Sequence, residues 1–322
     1  MAVFKIDAKC SNTSARCGTL LINNKKVETP IFMPVGTYGA VKTLHPKEIS
    51  SIGYNLILAN TYHMFLRPGT EILKQANGLH NFMNWDGLIL TDSGGFQIYS
   101  LKGLRKIHQD GASFQSHLNG DQYKLTPENV IDIQRAIGSD IMMMLDVCPS
   151  GDESLKKWNE AVELTSKWAE QAMLYYNNSS GIYDKEQVLV PIVQGGTNKD
   201  LRQKSADSLL KLEAEMYAIG GLAVGEPKDK MLETVSIMNE LLPINKPRYL
   251  MGVGTPSDLV KNVSLGVDMF DCVMPTRNAR NGQLFSWEGP INIKKITYTN
   301  DHSLIDESSN SKMSNMFTKS YL

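Results

Sequence analysis

Short apolar runs alternate along the chain with longer amphipathic stretches, and the alternation predicts an architecture. PIFMPVGT, NLILANTY, LILTDSGG, DIMMMLDVC, VLVPIVQGG, YAIGGLAVG, RYLMGVG and MFDCVMP each hold a few contiguous buried-type residues and then break at a small or polar one. Strands read that way. Between many of them ENVIDIQRAIG, WNEAVELTSKWAEQAMLYY, DLRQKSADSLLKLE, KMLETVSIMNELL and SDLVKNVSLG repeat apolar residues at three and four spacing, the period of a helix with one buried face. Strand and helix in turn imply a parallel sheet. Eight such units suggest an α/β fold of the (β/α)8 TIM barrel type.

Two stretches depart from the alternation. Residues 99–126 are too long for a simple connection and contain SFQSHLNGDQYKL, two alternating segments around Asn119-Gly120 that read as an inserted β-hairpin. Residues 300–315 become rich in Ser, Asn and charge. The expected organisation is a barrel domain over 1–298 with the insertion inside it, followed by 299–322 as a separate tail, open to disorder.

In such a barrel the chemistry gathers at the C-terminal ends of the strands, and the opposite face carries stability. Those ends are Asn60, Asp92, Asp146, Gln194, Gly221 with Leu222, Gly252 and Asp271, polar or backbone-exposing positions from distant parts of the chain. TDSGGFQ follows Asp92 with Ser93 and two glycines, which allow a tight turn or close approach of a ligand; a capped strand-to-helix turn is the alternative. LDVC puts Asp146 and Cys148 two residues apart, on one side of an extended chain.

Gln194 both donates and accepts, and Gly220, Gly221 and Leu222 offer backbone groups. With an ionised Asp146 they form a donor-acceptor set suited to the edge of a purine-like base. Phe96 is placed either to stack on such a base or to pack in the core. Asp92 and Asp271 then remain for bond making and proton transfer, as paired carboxylates do across a glycosidic bond. Arg277 and Arg280 follow Asp271 closely; they suit phosphate contacts and base edges, with an ion pair to a nearby acid as the plainer alternative.

Composition narrows the classes without choosing among them. The 322 residues are 42% hydrophobic, enough for a sizeable core. With 33 basic against 34 acidic side chains the net charge is -1, so a polyanion must be met by a local basic cluster. MAVFKIDAKC lacks a secretory pattern and no stretch approaches a membrane span, which reads as cytoplasmic. Cys10, Cys17, Cys148 and Cys272 are scattered, arguing against a disulfide framework or a zinc knuckle.

TDSGGFQ, VQGG, GGLAVGE, PRYLMGVG and DMFDCVMPTRNARNG together resemble the bacterial tRNA-guanine transglycosylases, also called queuine tRNA-ribosyltransferases, over roughly residues 10–300. The resemblance implies a zinc-containing TIM barrel that exchanges the wobble guanine of certain transfer RNAs for a 7-deazaguanine base without cutting the backbone. On it, Asp271 matches the nucleophile that forms a covalent ribosyl-enzyme and Asp92 the general acid/base. Asp146, Gln194, Gly221 and Leu222 match the base-recognition set, Phe96 and Met251 its flanking faces, and Arg277 and Arg280 the readers of the anticodon loop. Cys148 and Val224 favour 7-aminomethyl-7-deazaguanine over queuine as incoming base, with guanine as the reversible alternative; Val147 stands where many bacterial members have Glu.

The tail departs from that pattern. The three cysteine positions of the family's zinc motif fall on Ser309, Ser311 and Ser314, and the chain stops at Leu322 before the family's histidine. Serine hydroxyls are poor ligands for a structural zinc, so no metal is expected and 299–322 reads as the remnant of a degraded zinc subdomain. His302 reads as a surface residue. The homodimer that the family suggests is in doubt for this chain, and the alternative to an active enzyme is a silent RNA-binding or dimerisation subunit. Retention of Asp271 favours the enzyme.

Overall fold

The computed structural model describes residues 3–101 and 104–322, and the chain divides into two compact units, 1–272 and 273–322. In the first unit, an antiparallel sheet of β1 (Phe4–Lys9), β2 (Arg16–Ile22) and β3 (Lys25–Thr29) leads into β4 (Ile31–Met33), β5 (Leu56–Ala59) and β6 (Leu88–Thr91). The insertion follows as β7 (Arg105–His108), β8 (Gly111–Gln115) and β9 (Gln122–Leu125). The parallel series then resumes with β10 (Ile141–Met143), β11 (Val188–Val190), β12 (Ile192–Val193), β13 (Tyr217–Ile219), β14 (Arg248–Leu250) and β15 (Met269–Asp271).

All eight apolar runs hold a strand, one of them divided by Pro191, whose missing N–H interrupts the ladder between β11 and β12. Two parallel sheets result, in the orders β11-β10-β6-β5 and β12-β13-β14-β15-β4. Registers such as Leu56↔Leu88, Ile141↔Val188 and Tyr217↔Arg248 place sequence neighbours side by side, and Phe270↔Phe32 sets the last strand of the series beside the first. Val35 and Leu58 form a further parallel bridge, with Leu58 N donating to Pro34 O at 3.0 Å and Gly36 N donating to Leu58 O at 2.7 Å.

The helices of this unit are α1 (Pro46–Ser51), α2 (Thr61–Leu66), α3 (Thr70–Gln75), α4 (Leu79–Met83), α5 (Gly95–Ser100), α6 (Pro127–Ile137), α7 (Leu155–Asn178), α8 (Lys199–Leu210), α9 (Lys228–Leu241) and α10 (Pro256–Ser264). The five stretches with helical spacing became α6 to α10. Four of the five starts are fixed locally by a side chain: Thr126, Ser154, Asn198 and Thr255 each accept a backbone N–H of the first turn, while α9 follows Pro227 without such a cap. Among the described residues no helix is long and apolar enough to cross a membrane.

Successive strand residues feed different cores, as a period of two requires. Leu56, Leu58, Leu88, Leu90, Ile141, Met143, Val188, Val190, Ala218, Tyr249 and Met269 pack with one another. Their neighbours Met142, Leu189, Tyr217, Ile219, Leu250 and Phe270 pack instead with helix residues such as Ala169, Ala206, Val235 and Met238. Each fully buried Leu or Ile contributes roughly 1.5–3 kcal/mol, so both layers hold the strand ends rigidly.

Two carboxylates just before strands anchor the opposite end. Asp268, ahead of β15, receives Arg16 Nε at 2.8 Å and Arg248 N at 2.7 Å. Asp140, ahead of β10, receives Ile89 N at 2.8 Å and meets His80 Nε2 at 2.9 Å. Burial acts to raise the Asp140 pKa, but the His80 hydrogen bond and the charges of His80 and Lys185 hold it below the usual carboxylate value.

Within the insertion expected at 99–126, β8 and β9 pair as an antiparallel hairpin around Asn119-Gly120, with Gln115 opposite Gln122, and β7 makes it three-stranded; Lys102 and Gly103 lie outside the described residues. In the second unit α11 (Met274–Arg280) precedes the hairpin of β16 (Gln283–Ser286) and β17 (Gly289–Asn292), and an isolated bridge joins Leu304 to Thr318.

Candidate active site

Asn60, Asp92, Asp146, Gln194, Gly221 with Leu222, Gly252 and Asp271 all lie at or just beyond the C-terminal ends of parallel strands, β5, β6, β10, β12, β13, β14 and β15 in turn. The hydrogen bonds show which of them come together. Asp92 accepts Thr61 N at 2.8 Å, Gln97 Nε2 at 2.8 Å and Asn60 Nδ2. Burial pushes its carboxyl up to about 6 despite these donors, and the charge of Asp271 adds to the rise.

Asp271 is held from β14: Tyr249 donates its hydroxyl to Oδ1 at 2.7 Å and Gly252 donates its N–H to the same oxygen at 2.8 Å. Burial raises the Asp271 pKa, and both donors oppose that rise. Tyr249 is itself 0% exposed, with its own pKa driven far up by burial and then by the Asp271 charge, so it stays a donor.

Asp146 accepts Ser93 Oγ at 2.8 Å through Oδ1 and Gln194 Nε2 at 2.7 Å through Oδ2. Its pKa is raised by burial. Gln194 is fully buried, and its Oε1 has no hydrogen-bond partner. Leaving such an acceptor unpaired costs about 1–3 kcal/mol, a cost that a ligand N–H removes. Gly221, at φ +64°, lies against that oxygen: a Cβ there would collide with Gln194 Oε1 and meet the Trp158 ring at 2.9 Å. Just beyond, Glu226 accepts Val224 N at 3.0 Å and Ala223 N, fixing the loop after β13.

Phe96 is 56% exposed on α5, so core packing does not account for it. Met251 is half-buried. Cys148 is buried, and burial, then the Asp146 charge, pushes its thiol up to about 12; it is a small packing residue and not a thiolate. Arg277 and Arg280 sit exposed in the last turn of α11, in the second unit, and neither forms a salt bridge with a carboxylate among the described residues. The ion-pair alternative therefore has no partner there.

Sequence reasoning did not single out Thr61, Gln97, Ser93, Tyr249 or the Gly252 N–H as the groups that hold the three acids. Gln97 stands within TDSGGFQ, where a donor five positions after the acid it holds is a usable signal; Ser93 stands there too, but the acid it holds is Asp146, which no local spacing marks. Tyr249 was legible only as a strand residue.

The tail offers no thiolate or imidazole set for zinc. Ser309 Oγ accepts Ser311 N at 3.1 Å, a local turn, and His302 Nδ1 meets Ser320 Oγ at 3.0 Å. No group of three His, Cys, Asp or Glu stands together among the described residues. Neutral serine hydroxyls at Ser309, Ser311 and Ser314 do not fit a structural zinc, which takes thiolate or imidazole ligands.

Three acids raised by burial and held by neutral donors at the ends of parallel strands, one of them beside an amide oxygen without a partner, define an α/β protein whose candidate site lies at the C-terminal ends of its strands. The comparisons give the family. The model for queuine tRNA-ribosyltransferase matches residues 10–322. Proteins named queuine tRNA-ribosyltransferase from Dictyoglomus turgidum and Thermoanaerobacter pseudethanolicus are each 48% identical, over 99% of this chain and 82% and 84% of their own lengths. One from Bacillus subtilis is 48% identical over 98% of this chain and 81% of its own. The chain belongs to the queuine tRNA-ribosyltransferase family.

Proposed function

We propose that this chain is a tRNA-guanine transglycosylase, a pentosyltransferase that exchanges the wobble guanine of a transfer RNA for 7-aminomethyl-7-deazaguanine. The observation that carries the reading is the pair Asp92 and Asp271: both pKa values are raised by burial, and each acid is oriented by neutral donors only.

In the reaction an Asp271 oxygen attacks the ribose C1′ as the bond to guanine N9 breaks, giving a ribosyl ester. Tyr249 and Gly252 fix the plane of the attacking carboxylate by holding Oδ1. Asp92, whose value of about 6 lets it exchange a proton near neutrality, supplies the proton to the departing base. It then takes a proton from the incoming base, whose nitrogen attacks C1′ and releases the Asp271 carboxylate. Asp146 and Gln194 read the base edge, the latter through its unpaired Oε1, with the Gly221 and Leu222 backbone beside them. Phe96 and Met251 flank the base, Cys148 and Val224 shape the site for its substituent, and Arg277 with Arg280 contact the anticodon loop.

The supporting scaffold reading is one closed (β/α)8 barrel. Its support is the continuity of β11 into β12 and the Val35–Leu58 bridge beside β4, which would join the two sheets at both edges. The catalytic region is assigned to 1–298, with 299–322 a remnant of the family's zinc subdomain, in a cytoplasmic protein that acts without metal. The test is incorporation of radiolabelled guanine into a tRNA bearing guanine at the wobble position. Incorporation that is lost in Asp271→Asn, with tRNA binding kept, supports the reading. Folded wild-type protein that binds tRNA without exchange supports the silent subunit instead.

A further inference from the structure

Behind the base-reading amide lies a cation that the proposed chemistry does not use. Arg202, on α8, is 0% exposed, and among the described residues it has no carboxylate in salt-bridge range. A buried guanidinium without a counter-ion is costly, and its contacts account for its place. Nε donates to Gly196 O at 2.8 Å and Nη1 donates to Val193 O at 2.8 Å, while Nη2 has no partner. The two carbonyls flank Gln194 and Gly195, so one rigid fork spans the turn from which the Gln194 side chain projects.

The same helix grips the turn elsewhere. One helical turn along from Arg202, Ser205 Oγ accepts Gln194 N at 3.1 Å. Asn198 N donates to Gly195 O at 3.2 Å and its side chain caps α8. Gly195, at φ +137°, is pressed so close that a Cβ would stand 2.8 Å from Arg202 N. The backbone on both sides of Gln194 is therefore clamped to α8, and the aim of Oε1 follows from that clamp.

We propose that Arg202 is a positioning residue for base recognition, acting through Gln194 by bridging the carbonyls of Val193 and Gly196. This rests on the reading of Gln194 as a base contact. A guanidinium meets both carbonyls with fixed spacing, whereas an ammonium of the same charge is a point donor and cannot hold the fork geometry. Loss of the clamp lets Oε1 drift, and misplacement on the order of 1 Å costs up to about a hundredfold in a preorganised site.

The experiment measures guanine exchange by the full chain as wild type, Arg202→Lys, Gln194→Ala and the double variant, with KM for guanine and for tRNA determined separately and thermal unfolding followed in each. The expected result for Arg202→Lys is a KM for guanine raised about tenfold with KM for tRNA unchanged. In the double variant KM for guanine should be no higher than in Gln194→Ala alone, because the two residues act in series. A folded Arg202→Lys with unchanged KM for guanine, equal rises in both KM values, or additive losses in the double variant overturns the proposal. If Arg202→Lys does not fold, Ser205→Ala, which removes the acceptor of Gln194 N, takes its place with the same expected pattern and the same refuting ones. An unchanged KM for guanine in Gln194→Ala overturns the base-contact reading itself, which keeps the two failures distinct.

Discussion

Replacing Tyr249 by Phe removes one oxygen from a fully buried ring and leaves its packing among the strand residues intact. What disappears is the 2.7 Å hydrogen bond to Asp271 Oδ1; the Gly252 N–H at 2.8 Å remains. A hydrogen bond to a charged group contributes about 1.5–3 kcal/mol, which corresponds to roughly 10- to 150-fold in the ionisation equilibrium of the nucleophile. The sign is fixed by what the hydroxyl does. It favours the ionised carboxylate against burial, so removing it raises the Asp271 pKa and the ionised fraction is lost at a higher pH than in the wild type. Guanine exchange at saturating tRNA, measured from about pH 5 to about pH 9, should show an acid limb moved upward. The deficit should shrink at alkaline pH, where the less solvated carboxylate is also the better nucleophile. Superimposable pH profiles with equal rates would refute the assignment of Tyr249 as the group that tunes Asp271.

Asp92→Asn should abolish exchange and, in the same protein, raise stability at about pH 8 but not at about pH 4. The folded pKa of Asp92, about 6, lies above that of an ordinary carboxylate, so its contribution to stability is present at low pH and is lost as pH rises through that value; the gain is at most about 3 kcal/mol and is read from thermal midpoints at the two pH values. Alkylation with iodoacetamide at about pH 8 followed by mass spectrometry should label exposed Cys10 and Cys17 and spare Cys148, whose thiol is pushed up to about 12. Purified chain should contain far less than stoichiometric zinc, and a chelator should leave its unfolding midpoint in place; stoichiometric metal or a chelator-induced loss of structure would overturn the serine argument. Replacing Arg277 or Arg280 by Ala should weaken tRNA binding and flatten its salt dependence, with KM for guanine unchanged, as titrations at two ionic strengths would show.

The residues that reached the C-terminal strand ends were legible one at a time. Asp92, Asp146, Gln194 and Asp271 each follow a short apolar run, and a parallel strand buried on both faces has no other way to present a polar side chain than at its end. The five long helices were legible from their three and four spacing, and the insertion from Asn119-Gly120 between alternating segments. The third strand of the insertion, Arg105–His108, was not, because its residues carry no alternation strong enough to mark a strand.

Sequence alone thus determined the parallel α/β character, the acids available for chemistry and the likeness to a family, since local periodicity and long collinear motifs survive without coordinates. Tertiary structure decided the state of those acids. Asp140 and Asp92 are the same residue type, yet His80 and Lys185 hold the first below the usual range while burial among neutral donors lifts the second to about 6. The choice of partner lies in residues tens of positions away, such as Tyr249 for Asp271 and Ser93 for Asp146, and in Arg202 behind Gln194. Hydrogen bonds and desolvation act through space, and only the packed chain brings those groups within their reach.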